Sequence, residues 1–222
     1  NTGTSAYVTL EDLAEMVKTH AAELLSRQDV QTLLDNAKSL NATVVNELVP
    51  NLLQIGDIQK VLQHLLRERV PIRDMVTILE TMADFGTRVK DPDQLGELVR
   101  SSIGRTITRQ YVDEANKLYC LTLSAPLERM LGDSLSATNY GPVIALEPNA
   151  QQRFMEALKS QVESAQMQGY QVVLLCGTKI RLALFRLLER QIANLPILAY
   201  NEVSAQVDVE FIGQVQELGV AA

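Results

Sequence analysis

Few residues of this chain are of types and spacings that could do chemistry. Cys176-Gly177-Thr178-Lys179 joins an apolar run to an amphipathic one. A glycine turn feeding a helix can hold phosphate with its free N–H groups and the helix dipole. A phosphate loop, however, wraps its ligand in a longer glycine-rich segment before Lys-Ser/Thr, and here a single glycine precedes Thr-Lys. The plainer expectation is a tight turn at Gly177 with Thr178 capping the helix. Two histidines, His20 and His64, fall inside helical patterns without the Cys, Asp or Glu spacing of a metal site. Each is expected at the surface or a helix boundary. Cys120 and Cys176 sit in the apolar segments LYCLTL and VVLLC, which suits small reduced core residues better than a disulfide or a metal pair. There is no Gly-x-Ser-x-Gly elbow and no His-Glu-x-x-His. These observations assign no catalytic residue, no cofactor site and no metal site, and no enzyme activity.

The charged run Arg67, Glu68, Arg69, Arg73 and Asp74 has two readings. As a solvated turn, its ion pairs contribute roughly 0–1 kcal/mol each. As a protein–protein contact it is well equipped, because arginine forks match carboxylates and are enriched at interfaces. Arg105 and Arg109, farther along, are similar candidates. The acidic pair Asp91 and Asp93 lies at a helix start, where capping accounts for it.

Composition narrows the partners. The 222 residues are 46% hydrophobic and 21% charged, and carry a net charge of −7. Nucleic-acid binding is excluded on this balance, since it rests on Lys and Arg displacing counterions from phosphates. No apolar run approaches the roughly 20 residues of a membrane-crossing helix, and Asn1 to Ser5 has the character of a linker or expression remnant rather than a signal peptide.

The elements that position these residues follow from periodicity and punctuation. Helices are expected from Thr9, as cap, to about Leu25, with Leu13, Met16, Val17 and Leu24 inward, and from the capping box Ser26-Arg27-Gln28-Asp29, with Val30, Leu33 and Leu34 inward. Three more lie between Val44 and Phe85. One is stopped by Pro50. The next, capped by Asp57 after Gly56, buries Ile58, Val61, Leu62, Leu65 and Leu66, and the last buries Met75, Ile78, Leu79 and Met82. Asp91-Pro92 opens a long helix through Gly104 toward Tyr111, bent at that glycine. Beyond Asp113 the pattern changes. Leu118–Leu123, Val172–Cys176, Pro196–Tyr200 and Val207–Ile212 are expected strands, the last turning Val207, Val209 and Phe211 to one side. Helices follow Ser124 (with Leu127, Met130, Leu131 and Leu135 on one stripe), Pro148 and Thr178, and Ala137 to Pro142 is a polar, mobile turn. The expected fold is α plus α/β: residues 1–8 a linker, 9–112 a helical subdomain, and 113–222 a small α/β subdomain with a mostly parallel sheet.

VPNLLQIGDIQKVLQHLLRERVPIRDMVTILETMADF, followed by KDPDQLGELVRSSIGRTITRQY, resembles the cytoplasmic domain of the FlhA family, the large inner-membrane component of the flagellar protein export gate. ITRQY, ALEPN and LPILAYNEV are more similar to the flagellar branch than to the virulence type III secretion branch. The resemblance implies a non-enzymatic docking module at the cytoplasmic face of the bacterial inner membrane. It would self-associate into a ring and receive export chaperone–substrate complexes and other export-apparatus proteins. Membrane attachment would come only through helices upstream of this sequence, and the family's main chaperone-docking subdomains are not recognisable in it. Within the region resembling the ring-forming subdomain, Arg67, Arg73, Asp74 and Arg105 become candidate subunit-interface residues. The alternatives are a virulence-system homologue, and a nucleotide-binding regulator using Gly177-Thr178-Lys179.

Overall fold

The computed structural model describes residues 10–216; Thr9, expected as a helix cap, and the 1–8 linker lie outside them. Contacts divide the chain into two compact units between Ile103 and Gly104, ahead of the division expected after Val112.

Among the described residues, the first unit contains six helices: α1 (Leu10–Leu24), α2 (Arg27–Leu40), α3 (Ala42–Leu48), α4 (Ile55–Arg67), α5 (Met75–Gly86) and α6 (Pro92–Ser102). Their starts are set locally. Ser26 accepts from the Asp29 amide while the Asp29 carboxylate accepts from the Ser26 amide at 2.8 Å, a full capping box. Asp91 caps α6, with Pro92 placed where its missing N–H costs nothing. Asp57 differs from expectation: α4 begins two residues earlier, at Ile55, and the Asp57 carboxylate reaches back to the Gln54 amide at 3.0 Å. The central stripes bury largely as their spacing requires, with Ile58, Val61, Leu62 and Leu65 of α4 and Met75, Ile78, Leu79 and Met82 of α5 all inside, while Leu66, expected with them, is only part-buried.

The stripe of α1 does not. Leu13, Met16, Val17 and Leu24 are all exposed, and Ala22 is its buried residue. α1 lies against α4, and the Gln59 and Gln63 side chains of α4 donate to the Leu25 carbonyl. Periodicity identifies residues that share a face; it does not supply the surface that covers them.

The second unit opens with α7 (Gly104–Arg109), so the long helix expected through Gly104 is two helices, the first ending at Ser102. Gly104 serves close approach rather than bending, because a Cβ there would collide with the backbone of Glu202. Thr108 fastens the same junction, its hydroxyl donating to the Glu202 carbonyl at 2.9 Å.

The unit continues with β1 (Lys117–Leu123), α8 (Ala125–Asp133), β2 (Leu135–Thr138), β3 (Gly141–Ile144), α9 (Pro148–Met167), β4 (Val172–Cys176), α10 (Thr178–Leu188), β5 (Ile197–Ala199) and β6 (Asp208–Val215). The main sheet is parallel throughout, in the order β5-β4-β1-β6. All five residues of β4 are buried, as a continuous apolar strand covered on both faces should be. Cys120 and Cys176 are buried free thiols, and burial pushes the Cys120 thiol up to about 12.

Three local expectations are corrected. The polar turn at Ala137 to Pro142 belongs to an antiparallel hairpin, β2–β3, tied by the Thr138 hydroxyl to the Gly141 carbonyl at 2.7 Å. Leu135 therefore starts β2 instead of extending the α8 stripe. Phe211 is 64% exposed. β6 is an edge strand whose register with β1 slips at Ile212, between the pairs Cys120↔Phe211 and Leu121↔Gly213, so simple alternation does not hold along it.

Candidate functional site

The charged run at the end of α4 is sorted by one backbone feature. α4 closes with the Val70 amide bonded to the Leu65 carbonyl and the Arg69 amide to the Leu66 carbonyl, both 3.0 Å, with Arg69 in the left-handed conformation at φ 58°. This is the Schellman ending, here without its usual glycine. The turn sends neighbouring side chains in opposite directions. Glu68 points inward, 5% exposed, to within 3.3 Å of the buried Arg100 guanidinium of α6. Arg69 points to α1 and pairs with Glu15 at 2.6 Å. Asp74 caps α5 by accepting from the Thr77 amide at 3.2 Å. Arg67 and Arg73 remain exposed. Of the expected contact residues, then, Asp74 has a local structural task, and Arg67 and Arg73 present their charges to solvent. Arg105 is exposed on α7, in the second unit.

His64 is a correction. Its side chain is only 10% exposed, whereas His20 is 53% exposed beside Glu23. The imidazole sits over Gly96, where any Cβ would come within 2.6 Å of its Cδ2. His64 Nε2 lies 3.1 Å from Glu97 and 3.9 Å from Glu68, and Nδ1 lies 3.9 Å from Asp93. The spacing of these residues in the sequence carries part of the signal. His64/Glu68 and Asp93/Glu97 are each four residues apart, so each pair shares a helix face. Only the packing of α4 on α6 turns the two faces together.

The strand–helix turn at Gly177 already holds an anion, and it belongs to the protein. Glu128 of α8 accepts from the Gly177 amide at 2.7 Å, at the position where a phosphate would bind the start of α10. Gly177 itself is the N-cap, and Thr178 is the first helical residue rather than the cap. The Gly177 backbone has φ −69°, which any residue adopts. A Cβ there would stand 2.5 Å from the Glu128 carboxylate, so any side chain at this position requires Glu128 to move. Gly177→Ala is accordingly expected to displace Glu128 and lower the stability of the second unit by about 1–2 kcal/mol. The cost should be far less than additive with Glu128→Ala in a denaturant double-mutant cycle. Additive losses would show that the carboxylate does not support this turn.

Comparison with known proteins places the chain. The sequence profile of the FHIPEP family matches residues 2–208. The chain belongs to the FHIPEP family. Flagellar biosynthesis protein FlhA of Bacillus subtilis (strain 168) is 38% identical over 210 residues, 95% of this chain and 31% of that protein. FlhA of Escherichia coli K12 is 36% identical over 192 residues, 86% of this chain and 27% of that protein. The chain thus spans about a third of the length of these relatives. Among solved structures, nonameric EPEC SctV-C superposes with a TM-score of 0.84 at 26% identity, covering 92% of this chain and 61% of that one. The nonameric EscV cytosolic domain from the type III secretion system gives 0.79 at 27%, covering 96% and 64%. The resemblance to the FlhA cytoplasmic domain and the α plus α/β architecture with a mostly parallel sheet both hold.

Proposed function

We propose that this chain is a docking and ring-assembly module in the cytoplasmic part of a flagellar type III protein export gate. The observation that carries the reading is the family match over nearly the whole chain, joined to similarity with two domains solved as nonamers. Identity of 38% to a flagellar relative, against 26–27% to the two secretion-system structures, favours the flagellar branch. The nucleotide-binding alternative loses its support, because the Glu128 carboxylate occupies the amide that a phosphate would need.

In this reading the protein works by contact rather than catalysis. It gathers chaperone–substrate complexes and export-apparatus proteins at the cytoplasmic face of the inner membrane. Among the described residues no helix is long and apolar enough to cross a membrane, so the anchor would be supplied from elsewhere in the protein. Tethering several copies raises their effective concentration and lets individually weak subunit contacts close a ring. Arg67 and Arg73 are the contact residues best suited to this role, being exposed while Glu68, Arg69 and Asp74 are committed within the unit. Arg105 is a third.

The test is secretion. Deleting the gene is expected to abolish release of filament and hook proteins into the medium, and retained release would overturn the export-gate reading. Arg67→Glu with Arg73→Glu in the full-length protein should cut release roughly tenfold or more, the scale of losing a hot-spot arginine. The melting temperature of the 222-residue chain should be nearly unchanged. Wild-type secretion by this variant would remove both arginines from the contact.

A further inference from the structure

We propose that the first unit contains a divalent-cation site, of zinc type, formed by His64 Nε2 with the carboxylates of Glu68 and Glu97. These three ligand atoms all lie within 4.8 Å of one another, and His64 and Glu97 are already at 3.1 Å. Tetrahedral zinc with N and O ligands at about 2.0–2.1 Å needs ligand atoms about 3.3 Å apart. A small closing movement of the two carboxylates would therefore suffice, and glutamate carboxylates on two-methylene stems can make it without moving either helix.

The surroundings are arranged as a supporting shell. A ligating histidine is held by a partner on its other nitrogen, and here Asp93 Oδ1 faces Nδ1 from 3.9 Å. Glu68 is divided between two tasks, with Oε1 facing His64 and Oε2 facing Arg100 at 3.3 Å. The guanidinium thereby orients the carboxylate from the side away from His64 Nε2. Gly96 opens the notch in which the imidazole ring lies, and fixes its height on α6. The groups facing His64 are thus Glu68 of its own helix and Asp93 and Glu97 of α6, with Arg100 behind Glu68.

The donor set selects the ion. One imidazole with two carboxylates suits zinc and its first-row neighbours. Calcium takes six to eight oxygens and magnesium a near-ideal octahedron of oxygens, which this site does not offer. A bound ion would staple the end of α4 to α6, immediately before the turn that presents Arg67 and Arg73. The inference stands apart from the export reading, since its measurement involves no secretion.

The experiment is thermal denaturation of the tag-free 222-residue chain with zinc and, separately, with magnesium. A ligand that binds only the folded state raises the midpoint, by several degrees at roughly a hundredfold excess over its Kd. Zinc should produce this rise and magnesium should not. His64→Gln, which keeps a hydrogen-bonding group near Glu97, should abolish it, and His20→Gln should retain it. Should His64→Gln fail to fold, Glu97→Gln provides the same comparison. Cobalt should bind with visible ligand-field bands that zinc displaces. No zinc shift in the wild-type chain, or an equal shift in His64→Gln and Glu97→Gln, would overturn the site.

Discussion

Replacing Arg181 with alanine is expected to destabilise the second unit by about 3–5 kcal/mol, the range for removing one partner of a buried ion pair. Arg181 lies on α10 and is fully buried, as is Glu202. Its guanidinium donates to the Ile197 carbonyl at 3.1 Å and stands 3.8 Å from the Glu202 carboxylate. Glu202 in turn accepts from the Ala199 amide at 3.1 Å. The two charges therefore clasp both ends of β5, a strand of only three residues that has one neighbour in the sheet. Such a short strand gains little from its own ladder, so the charge network does much of the holding. Hydrogen exchange should report the loss first at β5 and the adjoining β4 amides. Arg181→Met with Glu202→Gln should recover a large part of it, because the double change removes the buried charges instead of stranding one. A loss below about 1 kcal/mol for Arg181→Ala would mean that water reaches Glu202 and that β5 is held by its apolar contacts.

Glu68→Ala is expected to cost the first unit a similar amount, about 3–5 kcal/mol, for the same physical reason. Arg100 is 2% exposed in the last turn of α6, flanked by the buried Val99 and Ile103, and Glu68 is a carboxylate at 3.3 Å from it. Removing that carboxylate takes a counter-charge from a guanidinium that cannot shed its proton, and it also deprives His64 of a neighbour. Urea titration of the wild type and of Glu68→Ala, followed by loss of helical signal, measures the cost as a fall in midpoint at constant slope. Glu68→Gln should fall between the two, since it keeps hydrogen-bonding capacity but not charge. By contrast, Arg67→Ala should move the midpoint little, since its guanidinium is exposed and surface charges contribute weakly. Equal effects at positions 67 and 68 would contradict the sorting of this run into an inward and an outward residue.

Both predictions turn on buried arginines that local pattern did not single out. Arg100 follows Val99 within a helical stripe, and Arg181 follows Ile180 in another; by hydropathy each belongs at the surface. Each is buried because its partner arrives from a distant part of the chain, Glu68 in one case and Glu202 in the other. The same holds for Glu128 at the Gly177 amide and for His64 among the acids of α6.

By itself the sequence determined what is encoded within a turn or two of chain. It determined the order along the chain of the strands of the main sheet and of the helices around them, the helix starts at Ser26, Asp91 and Ser124, the start of α9 at Pro148, the buried stripes of α4 and α5, and the wholly buried strand β4. The tertiary structure alone decided which faces meet. It left the α1 stripe and Phe211 exposed, folded the polar segment after Ala137 into a hairpin, and broke the long helix at Ile103 so that Gly104 could approach Glu202. It also brought His64 to Glu97 and Arg100 to Glu68. The reason is one of range: periods of 3.6 and 2 and the free N–H groups of a helix start act between near neighbours. The burial of a charge is settled only when packing brings its counter-charge from elsewhere in the chain.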